Sequence, residues 1–187
     1  MITSATSQDF YTGTTATMSA WTDAIGFAHG TRIATPMGYV AVERLGVGDR
    51  VLTADGRHAG LVWVGQTEVP GQGDFAPVCF AVGAVQNMRP LRVAPGHRVQ
   101  IAPGRPDASL TDQAGLVPAQ SLVNGTSIVI DRGARTVLYS HLMLATPQVI
   151  LAENVACETL LSQAMGERLL ANMPVWSQAQ DRVLLAA

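Results

Sequence analysis

The chain has 187 residues, of which 48% are hydrophobic and 14% charged, with a formal net charge of −2. That length buries a real core in what is most simply one folded unit, and the composition excludes a disordered chain. The 12 Lys and Arg and the 14 Asp and Glu are scattered, so no basic face is offered to nucleic acid, and no apolar run is long enough to be a transmembrane segment.

Residues 1–25 are rich in Ser and Thr and read as an arm with little to bury, anchored locally by Phe10, Tyr11, Met18 and Trp21. They lack a basic start followed by an apolar stretch, so they do not read as a Sec-type signal peptide. The destination of the chain stays open between the cell surface or exterior, by another route, and the cytoplasm.

From residue 26 to about 131 the pattern predicts short strands divided by tight turns. Residues 33–35 are extended, Pro36-Met37-Gly38 turns the chain, and residues 39–42 return as a β-prone strand. Gly46-Val47-Gly48-Asp49 makes a second turn, residues 51–53 a third strand, and Asp55-Gly56 a hairpin signal. Residues 61–69 predict one long strand bent at Gly65, followed by a loop over 70–74 and an apolar strand over 77–82. Residues 91–93 and 98–101 read as strands on either side of Ala94-Pro95-Gly96-His97, and residues 102–115 as a polar loop rich in Pro, Gly and Asp. One helical turn is expected over 119–123, closed by Asn124-Gly125. Strands over 127–130 and 136–144 flank the Asp131-Arg132-Gly133 turn, and 149–151 is another.

After Asn154 the character changes. Leu, Met and Val recur with helical spacing over 158–170 and 177–185, interrupted by Pro174, which predicts a helical appendix on a β body. No repeat period is evident. Cys79 and Cys157 lie far apart and are expected to be buried thiols that act as small hydrophobes, not a disulfide framework.

The stretch GTRIATPMGYVAVERLGVGDRVLTADG, from Gly30 to Gly56, resembles the opening of the Hint (Hedgehog/intein) superfamily of self-processing domains. There a Cys and a short loop lead through G-T-x-I-x-T-x-x-G into V-E-x-L-x-x-G-D-x-V-L-x-x-D-G. The resemblance covers about residues 26–160, leaving 1–25 as the arm and 161–187 as the appendix. It implies a mainly β, flattened horseshoe of short antiparallel strands with pseudo-twofold halves and a central active cleft.

The resemblance also implies a chemistry. A Cys thiol attacks the carbonyl carbon of the peptide bond before it, which resonance makes unreactive unless the leaving nitrogen is protonated and the oxyanion stabilised. The nucleophile's place is occupied here by Gly26. The family's Thr-x-x-His element falls on Ala94-Pro95-Gly96-His97, so His97 matches while Ala94 stands at the hydroxyl position. A later segment, TVLYSHLMLATPQVILAENVACETLL, resembles the late processing motif of a bacterial branch, which puts His141 on its first histidine and Pro147 on its second. No counterpart of the inteins' terminal His-Asn pair stands near Cys157-Glu158, which excludes full splicing.

Gly26 has three readings: a change made to trap an unprocessed form, a naturally degenerate site, or another nucleophile in use. Cys79, Cys157 and Thr31 lack nucleophile context. His29 is expected as an exposed loop side chain and His58 as a solvated turn residue. His97, His141 and a Cys show no paired spacing for zinc. The resemblance thus implies a cofactor-free, monomeric autoprocessing domain whose substrate is its own peptide bond before Gly26, inactive as written. The alternative is a non-catalytic Hint-fold binding or structural module of a secreted or surface bacterial protein, with a protein partner or external nucleophile that the sequence does not name.

Overall fold

The structure, a computed structural model, describes residues 25–101 and 115–160. The expected N-terminal arm, nearly all of the polar loop over 102–115 and the helical segments beyond 160 fall outside the described residues.

Thirteen strands make two antiparallel sheets. In chain order they are β1 (Phe27–Ala28), β2 (Arg32–Thr35), β3 (Gly38–Ala41), β4 (Arg50–Leu52), β5 (His58–Pro70), β6 (Val78–Phe80), β7 (Leu91–Val93), β8 (Arg98–Gln100), β9 (Leu116–Pro118), β10 (Ile128–Ile130), β11 (Thr136–Leu144), β12 (Val149–Ala152) and β13 (Val155–Glu158). The seven-stranded sheet runs β10-β6-β7-β1-β11-β5-β4, and the six-stranded sheet β3-β2-β12-β13-β8-β9. The long strand expected around Gly65 is β5, 13 residues, paired with the 9-residue β11 from Pro70↔Thr136 to Leu61↔Leu144.

The order of elements repeats. β2 and β3 lead into a 3-10 turn at Val42–Arg44 and then β4. β8 and β9 lead into a 3-10 turn at Ala119–Leu122 and then β10. In the six-stranded sheet β12 and β13 form a central hairpin, with β2 paired to one side of it and β8 to the other. The two joins use the same device. The Arg32 amide, opening β2, donates to Glu153 Oε1 at 2.8 Å, and the Arg98 amide, opening β8, donates to Glu158 Oε1 at 2.9 Å. The duplication is structural, and the two halves differ too much in wording to show a sequence period.

One expectation is corrected. Residue 158 does not start a helix: Val155–Glu158 is β13, paired with β12 on one edge and through Cys157↔Val99 with β8 on the other. Its turn, Glu153-Asn154, takes positive φ at both residues (48° and 72°), the geometry that matches the strands' twist without the usual Asn-Gly signal. Sheet pairing on both sides holds Val155–Glu158 extended. The strands flanking Asp131-Arg132-Gly133 form as expected and join different neighbours. β10 joins β6, because the Asp131 amide donates to the Pro77 carbonyl at 2.9 Å and its carboxylate pairs with Arg92.

One large core cluster draws on both sheets, including Phe27, Ile33, Val42, Leu61, Phe80, Leu91, Val99, Leu142, Ile150 and Cys157. Cys157 is buried as expected, whereas Cys79 is half-buried, and both thiols are free. A smaller cluster packs Ile25 on Leu160, with Trp63 and Met143 against them.

Candidate active site

β1 is two residues long, yet it sits between β7 and β11 in the middle of its sheet. Its register, Phe27↔Val93 and Phe27↔Ser140, carries the preceding link between Ile25 and Gly26 into the interior. Ile25 is only 6% exposed. Gly26 is fixed at both polar ends: its carbonyl accepts from the Ala94 amide at 2.9 Å, and its own amide donates to His97 Nδ1 at 3.2 Å.

His97 reaches that amide because Ala94-Pro95-Gly96-His97 turns tightly, with the His97 amide donating to the Ala94 carbonyl at 3.0 Å. The ring is buried and meets Phe27 edge-on at 4.4 Å between centroids. Because Nδ1 accepts, the neutral ring carries its proton on Nε2, which has no hydrogen-bond partner among the described residues. Burial, helped by the neighbouring His141, lowers its pKa to about 3.

His141 approaches from β11. Its Nε2 is 2.9 Å from Thr67 Oγ1 on β5, and its Nδ1 makes no hydrogen bond. Burial lowers its pKa to about 4, with the Ile25 carbonyl opposing that by favouring a protonated ring. His97 thus holds the nitrogen of the peptide bond between Ile25 and Gly26, and His141 lies beside the same two residues.

Of the residues singled out in the sequence, Gly26, His97, His141 and Ala94 come together. Ala94 contributes its backbone, donating to Gly26 where the hydroxyl side chain of the motif is missing. Pro147 is exposed in the connection from β11 to β12. His58 is exposed, as expected, but His29 is half-buried, with Nε2 unpartnered among the described residues and its pKa lowered by burial. The correction arises because the His29 amide is bound to the Leu138 carbonyl at 3.0 Å, which draws the loop onto β11.

Thr67 and Tyr139 escape the sequence reading. Tyr139 was within reach of it, since residues two apart on a strand share a face and His141 marks that face. Thr67 was not, because only the β5–β11 register, Tyr139↔Thr67, brings it beside His141.

The comparisons with known proteins follow this geometry. The structure is similar to the MchDnaB-1 intein, at 21% identity over 72% of this chain and 99% of that one, with a TM-score of 0.46. It is also similar to the gp41-1 intein (12% identity, 71% and 97% covered, TM-score 0.45). A bacterial intein-like domain from Clostridium thermocellum matches at 15% identity, with 72% and 98% covered and a TM-score of 0.39. No protein among the curated ones matches significantly. The family model described as the Hint domain matches residues 25–164, most of the chain and all of the strands that hold the two histidines. The chain belongs to the Hint domain family.

Proposed function

We propose that this domain grips the peptide bond between Ile25 and Gly26 as a self-processing domain does, and that it does not cut it. The observation that carries the reading is the hydrogen bond from the Gly26 amide to His97 Nδ1, at a position with no side chain to attack.

Self-cleavage of the Hint kind starts with a nucleophile on residue 26 bonding to the Ile25 carbonyl carbon. The C–N bond then breaks, and the nitrogen leaves as an amine carrying a proton. His97 is positioned to pass that proton. Both rings are neutral near pH 7, so the proton has to originate on the nucleophile. Gly26 supplies neither the attacking atom nor that proton. Loss of a catalytic nucleophile costs on the order of a millionfold, roughly 8 kcal/mol of barrier. Gly26 and His97 are also buried, away from bulk water.

The departures at Gly26, Ala94 and Pro147 favour a second reading, in which the scaffold serves as a non-catalytic binding or structural module. Incubation of the full chain with and without dithiothreitol, followed by intact-mass measurement, tests the first. The full-length mass is expected to persist in both, and release of residues 1–25 would overturn the reading.

A further inference from the structure

Resting on that reading, we infer that the His141 ring, fixed by Thr67, takes up much of the room a side chain at position 26 needs, so that a thiol restored there cuts faster once the ring is removed. A β-carbon built on Gly26 falls 3.0 Å from His141 Cε1, 3.1 Å from His141 Nδ1 and 3.0 Å from Tyr139 Cβ. All three contacts are tight enough that a neighbour must give by a few tenths of an ångström to admit a side chain. Gly26 also has φ +151°, a conformation that residues with a β-carbon rarely adopt.

Neither neighbour is free to step aside. Tyr139 Cβ is set by the backbone of β11, which is paired on both edges here, Tyr139↔Ala28 and Tyr139↔Thr67. Its far end is tied down as well, the hydroxyl donating to the Phe75 carbonyl at 2.8 Å. The His141 ring is 2% exposed and is held at Nε2 by Thr67 Oγ1. The atoms crowding Gly26 are therefore anchored on their other sides, and the site is built around the absence of a side chain. His141 thus acts on position 26 through its volume.

The test uses the full chain in four forms: unaltered, G26C, H141A and G26C/H141A, each incubated with dithiothreitol and followed by intact mass. In the cutting form the thiol sulfur bonds to the Ile25 carbonyl carbon and the C–N bond breaks. The thiol proton then reaches the nitrogen of residue 26 through His97, and dithiothreitol takes the acyl group from the thioester. G26C/H141A is expected to release residues 1–25 at least tenfold faster than G26C. Measurable cutting at equal rates in the two would overturn the inference. A second measurement is independent of cutting: the melting temperatures of G26A and H141A, singly and combined. Ala at position 26 is expected to cost several degrees in the parent and clearly less beside H141A. Additive losses would overturn the inference. Coupled melting with no cutting in either thiol form would leave the obstruction standing and remove the processing reading instead.

Discussion

Two imidazoles enclosed beside a single peptide link shape this domain's response to acid. Burial lowers the pKa of His97 to about 3 and that of His141 to about 4, from an ordinary 6.5. The unfolded chain therefore binds more protons between pH 6.5 and the folded values. Stability contributed by the neutral rings is complete above pH 6.5 and is lost as pH falls through that window. At pH 5 the loss is about 2 kcal/mol for each ring, since one pKa unit is about 1.4 kcal/mol. Urea midpoints measured from pH 7.5 to 4.5 should fall accordingly, and H97N should flatten the slope by about half. Thr67→Val removes the hydroxyl that satisfies His141 Nε2 and is expected to cost about 1–3 kcal/mol. In a double-mutant cycle with H141A that cost should vanish, because no buried ring nitrogen is left to satisfy.

At the scale of elements, two carboxylates join the halves to the central hairpin. Glu153 and Glu158 are both buried, and each accepts a strand-opening amide, from Arg32 and Arg98 respectively. Burial raises the Glu158 pKa, with the Arg98 amide and charge opposing it. Truncation to Ala leaves a buried N–H without an acceptor, so E153A and E158A should each lose about 1–3 kcal/mol by chemical denaturation. E153Q and E158Q keep an acceptor oxygen and should lose less. β1 is a different kind of join, two residues whose Phe27 is packed into the core and against the His97 ring. Phe27→Ala should cost about 3–5 kcal/mol and release His97 from its edge contact. Loss of the perturbed His97 titration by NMR would report the second effect.

Across the whole molecule, the two sheets share one core cluster, and Phe27, next to the buried link between Ile25 and Gly26, belongs to it. A shared core couples the sheets, so unfolding of the described body should be a single transition. Far-UV circular dichroism and a buried-residue NMR probe such as the Leu142 methyls should melt together, and separated transitions would contradict this. Ile25 is covered by Leu160, whose amide donates to the Leu142 carbonyl at 2.9 Å. The far end of the chain's described part therefore closes over the start of it.

Local chemistry was legible wherever a few adjacent residues decide the backbone. Pro36-Met37-Gly38 and Asp55-Gly56 turn where their φ preferences say, and the long strand through Gly65 follows its β-branched run. The wording of residues 30–56 and the placing of Gly26, His97 and His141 in a motif order were likewise available from the chain itself. The strand at 155–158 was not, because one of its partners, Val99 opposite Cys157, is 58 residues upstream and its turn uses Glu-Asn in place of Asn-Gly. Nor was Thr67, whose role exists only through the register of β5 on β11. By itself the sequence determined the family, the turns and the absence of a side chain at position 26. Only the tertiary structure decided that two histidines close on one peptide link and that one of them crowds the glycine there. Those facts depend on which strands pair and how deeply they pack, and no window of neighbouring residues encodes that.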